Sequence, residues 1–220
     1  MNNKGSALLT VVLVVGFLTI LATTLLYISG MNLQTKQADY QNKRNFYSGE
    51  TALEEIRAKL MEDASWASVE AYNDVTMRYV TLQNKGTRKL EYNRVFVEKL
   101  QKRWNDEKLP AVGGSWQALL DSYHSPGYKL ELDTTYPDVL AVDENNGYIR
   151  IRGVQITYID ANTKLTTLIS TDLDVRAPEI DWSAEETIKT LPDGVDAENA
   201  AKKTTVDAST CVRYANWKKE

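Results

Sequence analysis

The chain has 220 residues, enough for one or two domains with a real core, and its 43% hydrophobic and 25% charged side chains exclude a disordered or fibrous protein. Its 26 basic and 30 acidic residues give a formal charge of -4, which argues against nucleic acid as the main partner, because DNA binding is driven by neutralising phosphates. The lone cysteine, Cys211, excludes an intrachain disulfide, and with a single histidine, His124, it argues against a structural zinc site.

From Gly5 to Thr35 there is no charged side chain. The strongly apolar part, Ala7 to Ile28, matches the roughly 20 residues that a helix needs to cross a bilayer. A cleaved secretory signal has an apolar stretch of only about 7–15 residues with small residues before its cut. This run is longer, and nothing near Ser29–Gly30 has a good small-x-small pattern. A retained single-pass anchor is the plain reading. Lys4 flanks it on one side and Lys36, Lys43 and Arg44 on the other, so the flanking charges do not fix its orientation.

Beyond Gly30 the pattern stays helical. Leu33, Tyr40 and Tyr47 are seven apart, as are Phe46, Leu53 and Leu60, with Ile56 between the last two. Together they predict one apolar stripe on a helix whose other faces are polar. A helix from Ala7 to Leu60 would be roughly 80 Å long. Gly16, Gly30 and Gly49 are its weak points, each costing about 1 kcal/mol relative to alanine, and Gly30 is where a local break is expected.

The start resembles a type IV prepilin or pseudopilin, on Lys4-Gly5 followed directly by the uncharged run. Its passage through "FYSGETALEEI", Phe46 to Ile56, is similar to the PilX-like minor pilins. The tail stretches "TDLDVRAPEIDW" and "VRYANWKKE" resemble Gram-positive pilin-like proteins. The resemblance covers Lys4–Leu60 best, and residues 61–127 match nothing nameable. It implies a leader of residues 1–5 recognised through Lys4, a cut by prepilin peptidase between Gly5 and Ser6, and residues 6–30 serving first as membrane anchor and then as filament core. Residues 31–60 would continue the helix amphipathically. Major pilins carry a glutamate fifth after the cut; here that position is Thr10. A carboxylate in lipid is kept only for a partner, so Thr10 points to a minor subunit at a filament tip or in initiation, though it equally fits an uncut anchor. The partners implied are other pilins, the prepilin peptidase and the assembly platform, with the carboxyl-terminal domain exported from the plasma membrane to the cell surface.

In residues 61–127, Tyr92, Val95, Phe96, Leu100 and Trp104 have helical spacing. Lys108–Ser115, with Pro110, Gly113 and Gly114, reads as a loop. Ser115 caps a short helix that "HSPG" ends near Tyr123. Glu70–Leu82 fits either period. Strand patterns begin at Tyr128: "YKLEL", a turn at Asn145–Gly147, then "YIRIRGVQITYID", whose phase changes at Gly153 as a bulge would make it. After a "DANTK" hairpin loop, Leu165–Arg176 alternates, with Leu165, Thr167, Ile169, Thr171, Leu173 and Val175 on one face and a polar opposite face. The expected fold is α+β: a long helix packed on an antiparallel sheet over residues 128–182, with a mainly helical insertion at 61–127 and a polar tail at 183–220 whose Val212, Tyr214 and Trp217 pack back on the domain.

No catalytic residue, metal or cofactor is expected. Cys211 and His124 lack the third orienting group that nucleophilic catalysis uses. Asp143–Gly147 has calcium-like spacing, but Val154 stands where a calcium loop wants glutamate, so it reads as a hairpin turn. Asp193, Asp196 and Glu198 form an equally weak acidic patch. Lys85, Arg88, Lys89 and Arg94 form a basic cluster best read as a solvated face, although DNA or a surface polymer could use it. Three readings remain: a minor pilin, an uncut membrane-tethered binding module, and an anchored hydrolase, the last without a motif.

Overall fold

One helix, α1, runs from Asn3 to Met77. In the computed structural model, residues 3–78, 82, 84–159, 166–180 and 208–219 are described, with 3–7 and 208 as backbone only. The chain falls into two units, Met1–Asn45 and Phe46–Glu220. The predicted break at Gly30 does not occur, and the helix also runs 17 residues beyond Leu60, to Met77.

Within the second unit α1 has one buried face. Ala52, Leu53, Ile56, Leu60, Ala64, Ala67, Ala71 and Val75 are all fully buried. Their spacing of three and four residues is that of one side of a helix. The predicted single stripe is corrected here: Tyr47 is 63% exposed, as are Leu33 and Tyr40 at 68% and 69%, while Leu53, Ile56 and Leu60 are buried. At 100° per residue, the set repeating from Leu33 lies opposite the set repeating from Leu53. The two rows share a period and not a face.

Two layers cover the buried face. The first is helical. Helix α2 spans Lys85–Lys102, begins at Asn84 whose side chain accepts the Thr87 amide, and contributes Tyr92, Val95, Phe96 and Leu100 to the core. Arg78 pairs with Glu91 and Asp63 with Trp104, so the helices run antiparallel as a hairpin. A wider π-helical turn, Arg103–Lys108, carries the chain into α3, Leu109–Ala111, where the Leu109 amide reaches back to the Trp104 carbonyl. The expected loop at 108–115 is therefore helical to Ala111. The wide turn suits Pro110, which lacks an amide hydrogen and would crowd the carbonyl four residues back in a regular helix. Helix α4, Trp116–Asp121, is capped by Ser115 as its sequence predicts.

The second layer is an antiparallel sheet of five strands: β1 (Lys129–Leu132), β2 (Leu140–Asp143), β3 (Tyr148–Ile159), β4 (Thr166–Arg176) and β5 (Val212–Lys219). The order is β1-β3-β4-β5, with β2 beside β1 on the same edge of β3. Strand β1 pairs with Val154–Thr157 and β2 with Tyr148–Ile151. The residues between them, around Gly153, form the bulge that the phase change predicts, for the β3–β4 register shifts between Ile151 and Val154. Gly153 has φ +66°, and a Cβ there would lie 2.6 Å from the Asp133 Cβ, so only glycine fits. Residues 212–219 of the expected polar tail form strand β5, at the edge of the sheet among the described residues, with Val212 buried, Tyr214 half-buried and Trp217 37% exposed. The "DANTK" loop, Leu165, Trp182 and the acidic patch at Asp193, Asp196 and Glu198 lie outside the described residues.

Helix α1 crosses the sheet closely at Gly49, where a Cβ would stand 2.8 Å from Ile169 Cδ1 on β4. Arg57 donates to the Val212 carbonyl at 3.2 Å, and Tyr214 donates to Glu54 at 2.9 Å. The helix thus depends on the last strand for part of its anchorage. Gly49 gives up about 1 kcal/mol of helix propensity for this approach. Gly49→Ala should stay within about 1 kcal/mol of the parent, since the end of Ile169 can swing away. Gly49→Val should cost about 2 kcal/mol by overpacking. Urea unfolding followed by tryptophan fluorescence measures both, and a Gly49→Val protein as stable as the parent would refute the close approach.

Candidate functional site

The candidate site residues from the sequence fall in α1. Lys4, Gly5 and Ser6 lie in its first turns, and Thr10 lies on it with an exposed side chain. From Leu8 to Leu33 the large apolar residues are exposed, for example Val12 at 65%, Phe17 at 60% and Leu25 at 67%. No protein surface within this unit covers them. The helix is long and apolar enough to cross a membrane. That is compatible with single-pass anchoring and also with a signal sequence near the amino terminus.

The polar groups inside this run are dealt with locally. Thr19 donates to the Val15 carbonyl at 2.8 Å, Thr24 to Ile20 at 2.8 Å, and Thr23 to both Thr19 and Ile20. A hydroxyl bonded one turn back leaves no donor seeking a partner in hydrocarbon. The segment can therefore sit in lipid alone.

The remaining candidates are dispersed. Cys211 is buried in the core cluster. His124 bonds through Nε2 to Asp121 at 3.3 Å and through Nδ1 to the Ser125 carbonyl at 2.8 Å, with Tyr128 edge-on to it. The Asp143 carboxylate is spent on its own turn, accepting from the Asn146 amide at 3.0 Å and from Asn146 Nδ2 at 2.8 Å. Those bonds hold its pKa below the ordinary aspartate value. The basic cluster splits. Arg88 is buried and donates to the Leu82 carbonyl at 2.8 Å, and Arg94 pairs with Glu91 at 2.7 Å. Lys85 and Lys89 line a cleft instead.

Two buried carboxylate centres escaped the sequence reading. Asp63, on α1, is almost fully enclosed. It accepts from Trp104 Nε1 at 3.0 Å and from Tyr123 at 2.9 Å, and pairs with Arg103 at 3.0 Å. Burial first, and then the nearby Asp63 charge, push the Tyr123 hydroxyl pKa up, so it remains a donor. On β4 the expected polar face is in fact partly buried, at Asp172 and Asp174. Asp172 accepts from the Gly153 amide at 2.8 Å and from Asn216 Nδ2 at 2.6 Å. Asn216 has φ +54° and marks a second bulge, in β5. One carboxylate therefore pins both irregular neighbours of β4. Alternation predicts which side a residue takes but not what covers that side, so nothing in the pattern "STDLDVR" disclosed this.

Comparison with models of known families, with curated proteins and with solved structures found no match. The architecture itself, a long amino-terminal apolar helix that continues into packing on an antiparallel sheet, is pilin-like.

Asp174 supplies a pH test of the sheet. Burial raises its pKa, but the bonds from Arg150, at 2.5 and 2.9 Å, and from Arg176 at 2.7 Å outweigh burial and hold it below the ordinary 3.8. A depressed folded pKa contributes stability above the unfolded value, and that stability is lost as pH falls through the folded value. Urea midpoints should drop below about pH 4, and Asp174→Asn should flatten that slope by up to about 1.4 kcal/mol per pH unit. An unchanged acid limb in the variant would remove Asp174 from this role.

Proposed function

We propose that the chain is a minor type IV pilin, made as a membrane precursor, cut by prepilin peptidase between Gly5 and Ser6, and inserted at or near a filament tip. Its role in this reading is structural, without catalysis. The observation that carries it is α1: one uninterrupted helix whose first part is apolar and bare and whose last part is the core of a folded domain. A secretory signal has no reason to run without a break into a domain core. A helix that must leave lipid and enter a bundle of similar helices has such a reason, and Gly16 and Ala22 give it places for close approach. Its partners would be other pilins, the prepilin peptidase and the assembly platform.

Thr10 also fits a second reading, an uncut single-pass anchor carrying an exported binding module. Without a carboxylate at that position, no pairing with a neighbour's terminal amine is required.

Intact mass and amino-terminal sequencing of the protein from native membranes, with and without prepilin peptidase activity, separate the two. The pilin reading expects a form starting at Ser6 only when the peptidase is active, and Gly5→Leu should abolish both that form and filament incorporation. Full-length protein starting at Met1 as the only form would leave the anchored module.

A further inference from the structure

Beside the amino-terminal end of α2 the domain opens into a cleft of about 1040 Å³. Its walls are the first turns of α2, the β2–β3 turn, the segment that leaves β4 and the start of β5. Lys85, Lys89, Arg176 and Arg213 line it against a single carboxylate, Glu179, although the whole chain is acidic. Among the described residues the side chains of Lys89 and Arg213 are exposed and engage no ion pair or side-chain hydrogen bond. Arg176 is fixed in place by Asp174 at 2.7 Å and lies over the Tyr148 ring at 5.1 Å. The unpaired positive charge of Lys89 and Arg213 in the cleft is what an anion would neutralise.

The rest of the lining narrows the class of anion. Asn93, Asn145 and Asn146 add side-chain carbonyl oxygens and their remaining N–H groups; Asn93 Nδ2 already ties α2 to the turn through the Asn145 carbonyl at 2.9 Å, and Asn146 Nδ2 is held by Asp143 at 2.8 Å. Tyr92 is buried, and half-buried Tyr148 already has Arg176 over its ring, so the wall has no pair of open rings on which successive bases could stack. Single-stranded nucleic acid binding relies on such rings. Amides that meet hydroxyls, with cations that meet acid groups, suit a charged sugar. We propose that this cleft binds an anionic carbohydrate, a sugar chain bearing carboxylate or phosphate groups. The site goes beyond the pilin reading and stands whether or not the chain is cut after Gly5; the amino-terminal mass reads the cut, and the following titration reads the cleft.

The full chain in detergent micelles is titrated calorimetrically with hyaluronan hexasaccharide as the carboxylate probe and pentamannosyl phosphate as the phosphate probe. Maltohexaose is the neutral control and a ten-residue oligothymidylate the nucleic-acid control. At least one acidic sugar should bind with micromolar affinity while maltohexaose does not. The double variant Lys89→Glu, Arg213→Glu should weaken that binding by about tenfold or more. Lys102→Glu, on the same helix outside the cleft, should change it less than about twofold. If the double reversal fails to fold, Lys89→Gln and Arg213→Gln carry the same test. Failure of both acidic sugars to bind, equal binding of maltohexaose, indifference to the cleft substitutions, or tighter binding of the oligothymidylate through the same residues would each overturn the proposal.

Discussion

The folded unit from Phe46 onward depends on covering one face of one helix. Between Ala52 and Val75, α1 presents a row of residues that are fully buried. A fully buried leucine or isoleucine side chain contributes about 2 kcal/mol relative to one left in water. That gain is available only if something lies on both sides of the row. The sheet covers the earlier part through β4 and β5, and α2 with its π-helical turn covers the later part. The residues change along the row to match. Leu53, Ile56 and Leu60 come first, then Ala64, Ala67, Ser68 and Ala71. Large aliphatic side chains fill the space over a sheet. Small ones let Trp104, Phe96 and Tyr92 of the helical layer come close to the backbone.

Apolar burial alone would not fix the register of these layers. Three buried carboxylates do that work. Asp63 ties α1 to the turn after α2 and to Tyr123, Asp174 ties β3 to β4, and Asp172 holds the bulges of β3 and β5. Each costs desolvation, and each is compensated by several donors. A sheet with a bulge in the strands on both sides of β4 has alternative registers. The Asp172 carboxylate meets the Gly153 amide and the Asn216 amide group in only one of them. Gly153 and Asn216 are the β3 and β5 residues with positive φ, so backbone freedom and side-chain recognition coincide at the same points.

Periodicity made the long helix, β3, β4 and the core of α2 readable, because each is long enough to repeat its pattern several times. The bulge at Gly153 was readable as a change of phase within one strand. Strand β2 was not, since four residues at a sheet edge do not establish an alternation. Nor was β5, where the bulge at Asn216 breaks the pattern and Lys218 and Lys219 keep the strand polar. The continuation of α1 to Met77 was hidden because alanine is small and weakly apolar, so Ala64, Ala67 and Ala71 leave little signal. Leu33, Tyr40 and Tyr47 misled for the opposite reason. Their repeat is clear, but a seven-residue repeat specifies a side of the helix and not whether that side is covered. In the candidate site, the apolar run and Thr10 were visible in composition alone. The cleft was not, because Lys89, Asn145, Arg176 and Arg213 come from four separate elements that only the fold gathers.

If the chain is a pilin subunit, the apolar half of α1 constrains how it chooses its neighbours. Thr19, Thr23 and Thr24 bond to their own backbone, and on the pilin reading Thr10 stands where a carboxylate would have required a counter-charge. These hydroxyls are not left incomplete by remaining single in lipid. Association there would rest on van der Waals packing at small residues such as Gly16, which is weakly selective among similar helices. On the pilin reading, discrimination between partners would then come mostly from the folded domain, where charge is distributed unevenly. On the pilin reading, such a subunit enters a filament because its domain fits, and its helix follows without demanding a particular neighbour.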